Sequence, residues 1–459
     1  MKTIIDISKF KFRIFQYLAA IGVNMGMISI GMHYGWPSTS LPRLEAKNST
    51  IPITSDEGSW IVSVLPMGSV IGDILSAMTL RYLGYKTLII STSLPLTLSW
   101  LLIALAKSKT LIFTGRIIAG IMDGILFTAI PPFLTEIADP EIRGFLGMSY
   151  ILAMVFGMLF INVLFLCVSE VTTAFIASVI SLLILAILPW IPDSPYHLIM
   201  KKDVLAAKAS LQKYRGRGEV VEEMYRITKI IIENNEDGKF IDLLNNRFNR
   251  KSLFIAIGLT VFQQTSGILA IQSYCATVFD ESRQFFDPTI SNLIYFVVYL
   301  FSTLLSQLLV DISGRRFLIM LSSGIVIPML LLNGTYLYLR EFTTIDTTSF
   351  DFIQLVAILL YVSSFSFGLN TIPTLISSEI FPSNMKGVGL CMVNICFSIV
   401  SSGVIKLFSL TKDSFGMCVP FYTFAIFSSA GMIFTVFFVP ETNRKTLEEI
   451  QLDIRGQKE

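Results

Sequence analysis

Two glutamines, Gln263 and Gln264, stand side by side in a long apolar stretch, with Ser266, Gly267, Gln272 and Tyr274 just after them. An amide both donates and accepts, so such a group can hold hydroxyl-bearing solutes while aromatic rings cover apolar faces. Two adjacent amides in a lipid-embedded helix are costly unless they face a cavity or a partner, so interhelical hydrogen bonding is the competing reading. Four ionisable residues lie in equally apolar surroundings: His33, Asp73, Arg116 and Asp123. A charge at a helix centre costs about 2.5–3.5 kcal/mol on insertion scales, so each needs a partner. A third set pairs charges along the chain. Glu136 and Arg143 are seven residues apart, as are Glu379 and Lys386, each pair at the end of an apolar run. Asp311, Arg315, Arg316 and Glu441 are available to pair with them across the molecule and to release them again. None of this is bond-making chemistry. No phosphate loop, metal cluster or nucleophile constellation is visible, so an enzyme is not expected, nor any cofactor or metal.

The elements that must position these residues come in two copies. TEIADPEIRG (Thr135–Gly144) returns as SEIFPSNMKG (Ser378–Gly387), LRYLGYKTLII (Leu80–Ile90) as VDISGRRFLIM (Val310–Met320), and IPDSP (Ile191–Pro195) as VPETN (Val439–Asn443). The offsets are 243, 230 and 248 residues, in unchanged order. Such a repeat sets the architecture, and among apolar stretches it points to two similar membrane halves. Hydrophobic residues make up 53% of the chain and charged ones 15%, against about 25% charged in soluble domains. Twelve spans of bilayer length are expected, near 15–36, 58–80, 87–106, 111–134, 144–167, 172–191, 251–279, 290–310, 317–338, 352–377, 388–409 and 418–439. The fold class is thus an all-α membrane protein of two six-helix bundles. Residues 1–191 form the first bundle, 192–250 a cytoplasmic linker of three or four short amphipathic helices, 251–439 the second bundle and 440–459 a tail with one more short helix.

Of the Lys and Arg residues, 26 fall on the linker side, 7 on the other, and Arg116 and Lys406 within spans. That bias places both termini in the cytoplasm. The leader is basic, but the apolar run after it is too long for a cleaved signal, so it stays as the first helix. Residues 37–57 form the longest outside loop, where Asn48-Ser49-Thr50 is a glycosylation acceptor pattern. Asn333-Gly334-Thr335 fits the same pattern inside a span, where modification is not expected. The five cysteines lie in or beside spans without metal-like spacing and read as packing residues.

Taken together, six motifs resemble the sugar porter family of the major facilitator superfamily. They are Gly115-Arg116 with Gly120 and Gly124; Pro132-Phe133-x-x-Glu136 with Arg143-Gly144; Gln263-Gln264-x-Ser266-Gly267; Gly314-Arg315-Arg316; Glu379-x-Phe381-Pro382; and Pro440-Glu441-Thr442. Gly35-Trp36 and Gly58-Ser59-Trp60 look most like the insect facilitated trehalose transporters. The resemblance covers nearly the whole chain. It implies a twelve-helix carrier in a plasma membrane, acting on a small sugar or polyol by alternating access and working as a monomer without nucleic acid. It makes Gln263 and Gln264 sugar ligands, with Ser266, Tyr299 and Thr374 at neighbouring ligand positions, and makes the charged clusters a latch between the bundles.

The chain also departs from the family pattern. Arg81 and Tyr85 replace an Asp and an Arg in the first-half copy of the latch. Leu269, Ile151, Tyr299, Thr374 and Phe397-Ser398 stand where polar or stacking sugar contacts are usual. Span 1 has no carboxylate to pair with Arg116, which favours facilitated diffusion. A loose alignment puts His33, near the outer end of span 1, at that position, as a proton switch or as an interfacial imidazole beside Tyr34 and Trp36. Three alternatives stay open: a less polar solute, a proton-coupled symporter and a non-transporting sugar sensor.

Overall fold

The computed structural model describes residues 13–216, 220–233, 240–280, 287–344, 350–382, 385–442, 445 and 449–450, without the side chains of 81, 230, 232–233, 240–242 and 310–313. Among the described residues the chain is all α-helix and short 3-10 turn, with no strand. Twelve helical spans are long and apolar enough to cross a membrane: Ile14–Glu45, Ser55–Leu80, Tyr85–Ala104, Lys109–Ile137, Arg143–Cys167, Glu170–Trp190, Arg247–Ser273, Pro288–Leu309, Arg315–Phe342, Asp351–Ile380, Lys386–Phe415 and Cys418–Phe438. They are numbered 1 to 12 below.

Local chemistry starts and stops them. Thr54 and Glu57 form a capping box at span 2, each side chain accepting from the other's backbone N–H at 3.2 Å. Asp287 caps span 8, with Pro288 in the first turn, where a missing N–H does no harm. Gly84 ends span 2 at φ 78°, and Gly314 ends the helix of span 8 at φ 82°. Only glycine takes this backbone without strain, so the repeated turn has the same geometry in both copies.

The packing repeats as well. In the first half span 2 lies on span 4, 1 on 5, 3 on 6, 3 on 4 and 1 on 6. In the second half 8 lies on 10, 7 on 11, 9 on 12, 9 on 10 and 7 on 12, the same list shifted by six. The halves meet through spans 2 and 11, spans 5 and 8, and the short helices after Gln264 against span 1. Each half turns apolar side chains outward, such as Leu94 and Val179 in one and Ile426 and Phe437 in the other. No water-soluble surface is built this way.

Two expectations are corrected. The stretch from residue 37 is not loop: span 1 stays helical to Glu45, and loop 1 shrinks to residues 46–54. Pro37, Ser38, Thr39 and Pro42 read as loop residues, yet the hydroxyls of Ser38 and Thr39 are satisfied by Asn162 Oδ1 at 3.1 and 2.7 Å. A buried partner thus replaces water. The longer helix also moves His33 from the outer end of span 1 into its interior, where it is fully buried.

Between the halves lie four short helices, Pro195–Met200, Val204–Arg215, Val221–Glu233 and Phe240–Asn245. The first three share a small apolar cluster of Ile199, Ala207, Leu211, Val220 and Ile227. Asn48 is exposed in the turn after span 1. Asn333 is buried within span 9 and donates to Met329 O at 3.2 Å. In the tail Glu449 and Ile450 are helical, and the rest of the expected tail helix lies outside the described residues.

Candidate functional site

Span 7 breaks in its middle. Helix Arg247–Thr265 stops, Gly267 takes φ 89°, and the chain resumes as Ile268–Ser273. Span 10 breaks too, between Phe367 and Ile372. A broken helix exposes backbone carbonyls that need partners, which a bilayer tolerates only inside protein or a wet cavity. Gln263 supplies them: its Nε2 donates to Leu369 O at 2.7 Å and to Asn370 O at 3.0 Å. Gln264 Oε1 accepts from Ser401 Oγ of span 11 at 3.1 Å. Both glutamines are therefore joined to neighbouring helices. Gln263 Oε1 and Gln264 Nε2 have no other protein partner among the described residues.

Around them, Tyr299 is buried with its hydroxyl 3.5 Å from Asn370 Oδ1, and Asn370 Nδ2 has no partner. Ser266 is fully buried; its hydroxyl donates to Gln263 O at 2.7 Å, and its own carbonyl accepts from Tyr361 at 3.0 Å. It holds the break in shape. Thr374 lies exposed on span 10. Ile151 and Phe397 are half-buried, and the Phe397 ring sits 6.2 Å from Phe127 of the other half. The site thus joins uncharged amides and a phenol to an apolar opposite wall.

Arg116 has an arrangement that follows from two prolines. A proline in a helix has no N–H, so the carbonyl four residues earlier loses its donor. Pro37 frees His33 O and Pro66 frees Val62 O. Arg116 donates Nη1 to His33 O, Nη2 to Val62 O at 3.5 Å and Nε to Ile61 O at 3.1 Å, beneath the Trp36 ring. The guanidinium is satisfied by backbone alone. His33 stacks on Trp100 at 3.8 Å, with Nε2 2.9 Å from Ser99 Oγ and Nδ1 unpaired. It is a core residue of the first half and not an interfacial imidazole. Asp123 Oδ2 accepts from Ser69 at 2.6 Å and Tyr34 at 2.9 Å. Asp73 accepts from Thr128 at 3.1 Å and, across the halves, from Ser398 at 3.5 Å.

The latch residues lie on the linker face, and each charged pair described there stays within its half or joins that half to the linker. Arg315 Nη2 is 3.4 Å from Glu379 Oε1. Glu441 accepts the backbone N–H groups of Arg315 and Arg316 at 3.0 and 3.1 Å, at the positive end of span 9. Lys386 is in Coulombic reach of Glu379. Glu136 accepts from the Ser194 hydroxyl, and Arg143 Nε has no partner. The side chain of Asp311 lies outside the described residues. Across the halves on this face, Gln307 donates to Met148 O at 2.9 Å.

The opposite face carries charged contacts between the halves. Lys406 of span 11 meets Asp56 at 2.6 Å, Ser59 Oγ at 2.7 Å and the Trp60 ring at 4.5 Å. Ser55 donates to Asp413 at 2.7 Å, and Asn292 donates to Asn162 at 2.9 Å. The conformation is closed on this face. Residue types alone missed this set, because its partners lie up to 358 residues apart. Arg215, also missed, is buried between Asp139 at 3.1 Å and Glu223 at 2.7 Å and donates to Ile137 O, pinning the linker to the first half. The available signal was a lone charge, Lys406, within a span.

Comparison with known proteins agrees with this architecture. The family model described as "Sugar (and other) transporter" matches residues 19–453. The facilitated trehalose transporter Tret1 of Bombyx mori is 33% identical, over 96% of this chain and 86% of that protein. Its Apis mellifera ligustica counterpart is 32% identical, over 96% and 88%. In fold, the chain is similar to the partially occluded inward open xylose transporter XylE from E. coli, with a TM-score of 0.78 and 20% identity over 94% of this chain and 99% of that one. The repeated helix plan, the paired glutamines at the span 7 break and these matches together identify the chain as a multi-pass membrane transporter, not an enzyme, belonging to the sugar porter family of the major facilitator superfamily.

Proposed function

We propose that this protein carries a sugar of the trehalose or hexose class down its gradient by alternating access, without a coupled proton. The observation that carries the reading is the double break of spans 7 and 10, where Gln263, Gln264, Asn370 and Tyr299 gather uncharged donors and acceptors in an apolar frame. Hydroxyl-bearing solutes need such groups, and a charged site would not discriminate for them. Uniport is supported by Arg116, which is held by backbone carbonyls and needs no titrating carboxylate. The linker face is cytoplasmic on the charge bias, so both termini are intracellular and the conformation is closed outside, in a plasma membrane. Opening outside would break the Lys406 contacts and bring the linker-face charges of the two halves together. Each half is complete in its helix packing, so a monomer suffices.

Transport of a less polar solute is the second reading, favoured by Leu269, Ile151 and the Phe127–Phe397 contact in the wall. Counterflow of labelled trehalose and glucose in proteoliposomes, with and without a proton gradient, tests both. Uptake indifferent to the gradient, and cut about a hundredfold in Gln263→Ala/Gln264→Ala, is the expected result. Counterflow of neither sugar in folded protein overturns the sugar assignment, and binding without counterflow turns it into a sensor.

A further inference from the structure

Gln272 lies on the short helix Ile268–Ser273 after the span 7 break and is completely buried. Neither atom of its amide meets a protein partner. Among the described residues it is the one buried amide with both atoms unpaired. Buried amides in folded proteins are nearly always paired, because leaving them unpaired costs free energy.

Its direction follows from its neighbours. Tyr274 turns to span 11, stacking on Phe408 at 5.0 Å beneath Lys412 at 5.4 Å. At about 100° per residue, Gln272 points roughly 160° away from Tyr274, on the same face as Leu269 three residues earlier. Apart from the helices next to it in sequence, this helix packs mainly on span 1 of the other half and on span 11. With span 11 behind Tyr274, Gln272 faces away from it at the seam between the halves. Its N–H and C=O groups are coplanar and adjacent. They match two neighbouring hydroxyls, donating to one and accepting from the next.

We propose that Gln272 is a specificity-determining residue that binds a vicinal diol of the solute, one helical turn beyond Leu269, when the seam opens around it. The inference rests on the sugar reading above. It gives this buried, unpaired amide hydroxyl partners, and it extends the span 7 site toward the outer face.

Equilibrium binding of labelled trehalose and glucose to the full-length protein in lipid nanodiscs, with thermal unfolding alongside, tests it on Gln272→Leu and Gln272→Met. The expected result is unfolding at the same temperature or higher, with affinity weakened about 10- to 100-fold. A structural amide would give the reverse, a lower unfolding temperature with unchanged affinity, and that overturns the proposal. Should both apolar variants fail to fold, Gln272→Asn keeps the amide but withdraws it by one carbon. The same loss of affinity is expected there, and binding within about twofold of wild type overturns the proposal. Wild type that binds neither sugar removes the sugar reading and this inference together. Wild type that binds, with variants that bind equally, removes this inference alone.

Discussion

In the first half, a Cβ on Gly31 would lie 1.9 Å from the carbonyl oxygen of Met154, and one on Gly72 would lie 2.0 Å from that of Ile121. In the second half, one on Gly258 would lie 2.3 Å from the Phe434 ring, and one on Gly267 2.2 Å from the Phe424 ring. The first half presses backbone on backbone: Gly31 and Gly157 between spans 1 and 5, Gly72, Gly120 and Gly124 between spans 2 and 4. The second half sets phenyl rings against Gly258, Gly267, Gly389 and Gly431, meets backbone at Gly368, where a Cβ would lie 2.5 Å from Leu318 O, and breaks two of its spans. Backbone contact has one geometry, whereas rings and broken helices can repack. The halves share a helix plan and differ in what can move. We read the first half as the frame, with buried polar groups locked inside it, and the second as the part that rearranges around the solute.

Alanine substitutions at the glycines would break this comparison most directly. Gly72→Ala is expected to cost about 3 kcal/mol or more, because the obstructing atom is backbone. Gly258→Ala meets a ring that can turn and is expected to cost about 1 kcal/mol. Gly403→Ala, with nothing within 4 Å, is the neutral control. Thermal unfolding in detergent ranks the three. Equal losses at Gly72 and Gly258 would remove the distinction between frame and mover.

Lys406 sharpens it from the moving side. It joins span 11 to Asp56 and Trp60 on the face closed in this conformation. Asp56 is well exposed, so the pair and the ring contact together are worth about 1 kcal/mol, or roughly fivefold in population. Lys406→Met is expected to raise outside labelling of buried Cys275 by about that factor, in a chain whose other four cysteines are serine. An unchanged rate would mean that closure rests on the apolar seam.

The fold was legible because length and apolarity alone define spans, and because the Gly84 and Gly314 turns repeat in sequence as they do in space. The end of span 1 was not. Pro37, Ser38 and Thr39 spell a loop unless Asn162, 123 residues away, is known to satisfy the hydroxyls. Arg116 was legible as a residue in need of partners. Its partners were hidden, because they are carbonyls freed by Pro37 and Pro66, and a proline's effect falls four residues back. The span 7 amides were visible as site residues, but their hold on the broken span 10 was not, since a helix break at Gly368 to Thr371 has no strong signature. His33 was misplaced for the same reason as the loop: its depth depends on where the helix ends.

The smallest expected effect concerns how the linker rides on the frame. His197, on the first linker helix, packs its ring against Gly84, where a Cβ would fall 2.5 Å from Nε2. Burial, then the charge of Lys201, holds its pKa below the ordinary histidine value, with Asp193 opposing. A freed imidazole takes a proton near pH 6.5. The docked form binds fewer protons below that pH, so docking is fully stable above about 6.5 and weakens as pH falls from there through the lower docked value. Hydrogen exchange of residues 195–215, corrected for intrinsic rates, is expected to speed up between pH 7.5 and 5.5, while exchange in span 12 changes little. His197→Gln should flatten the dependence. A pH effect equally large in both halves would show that the linker is not carried by the first half alone.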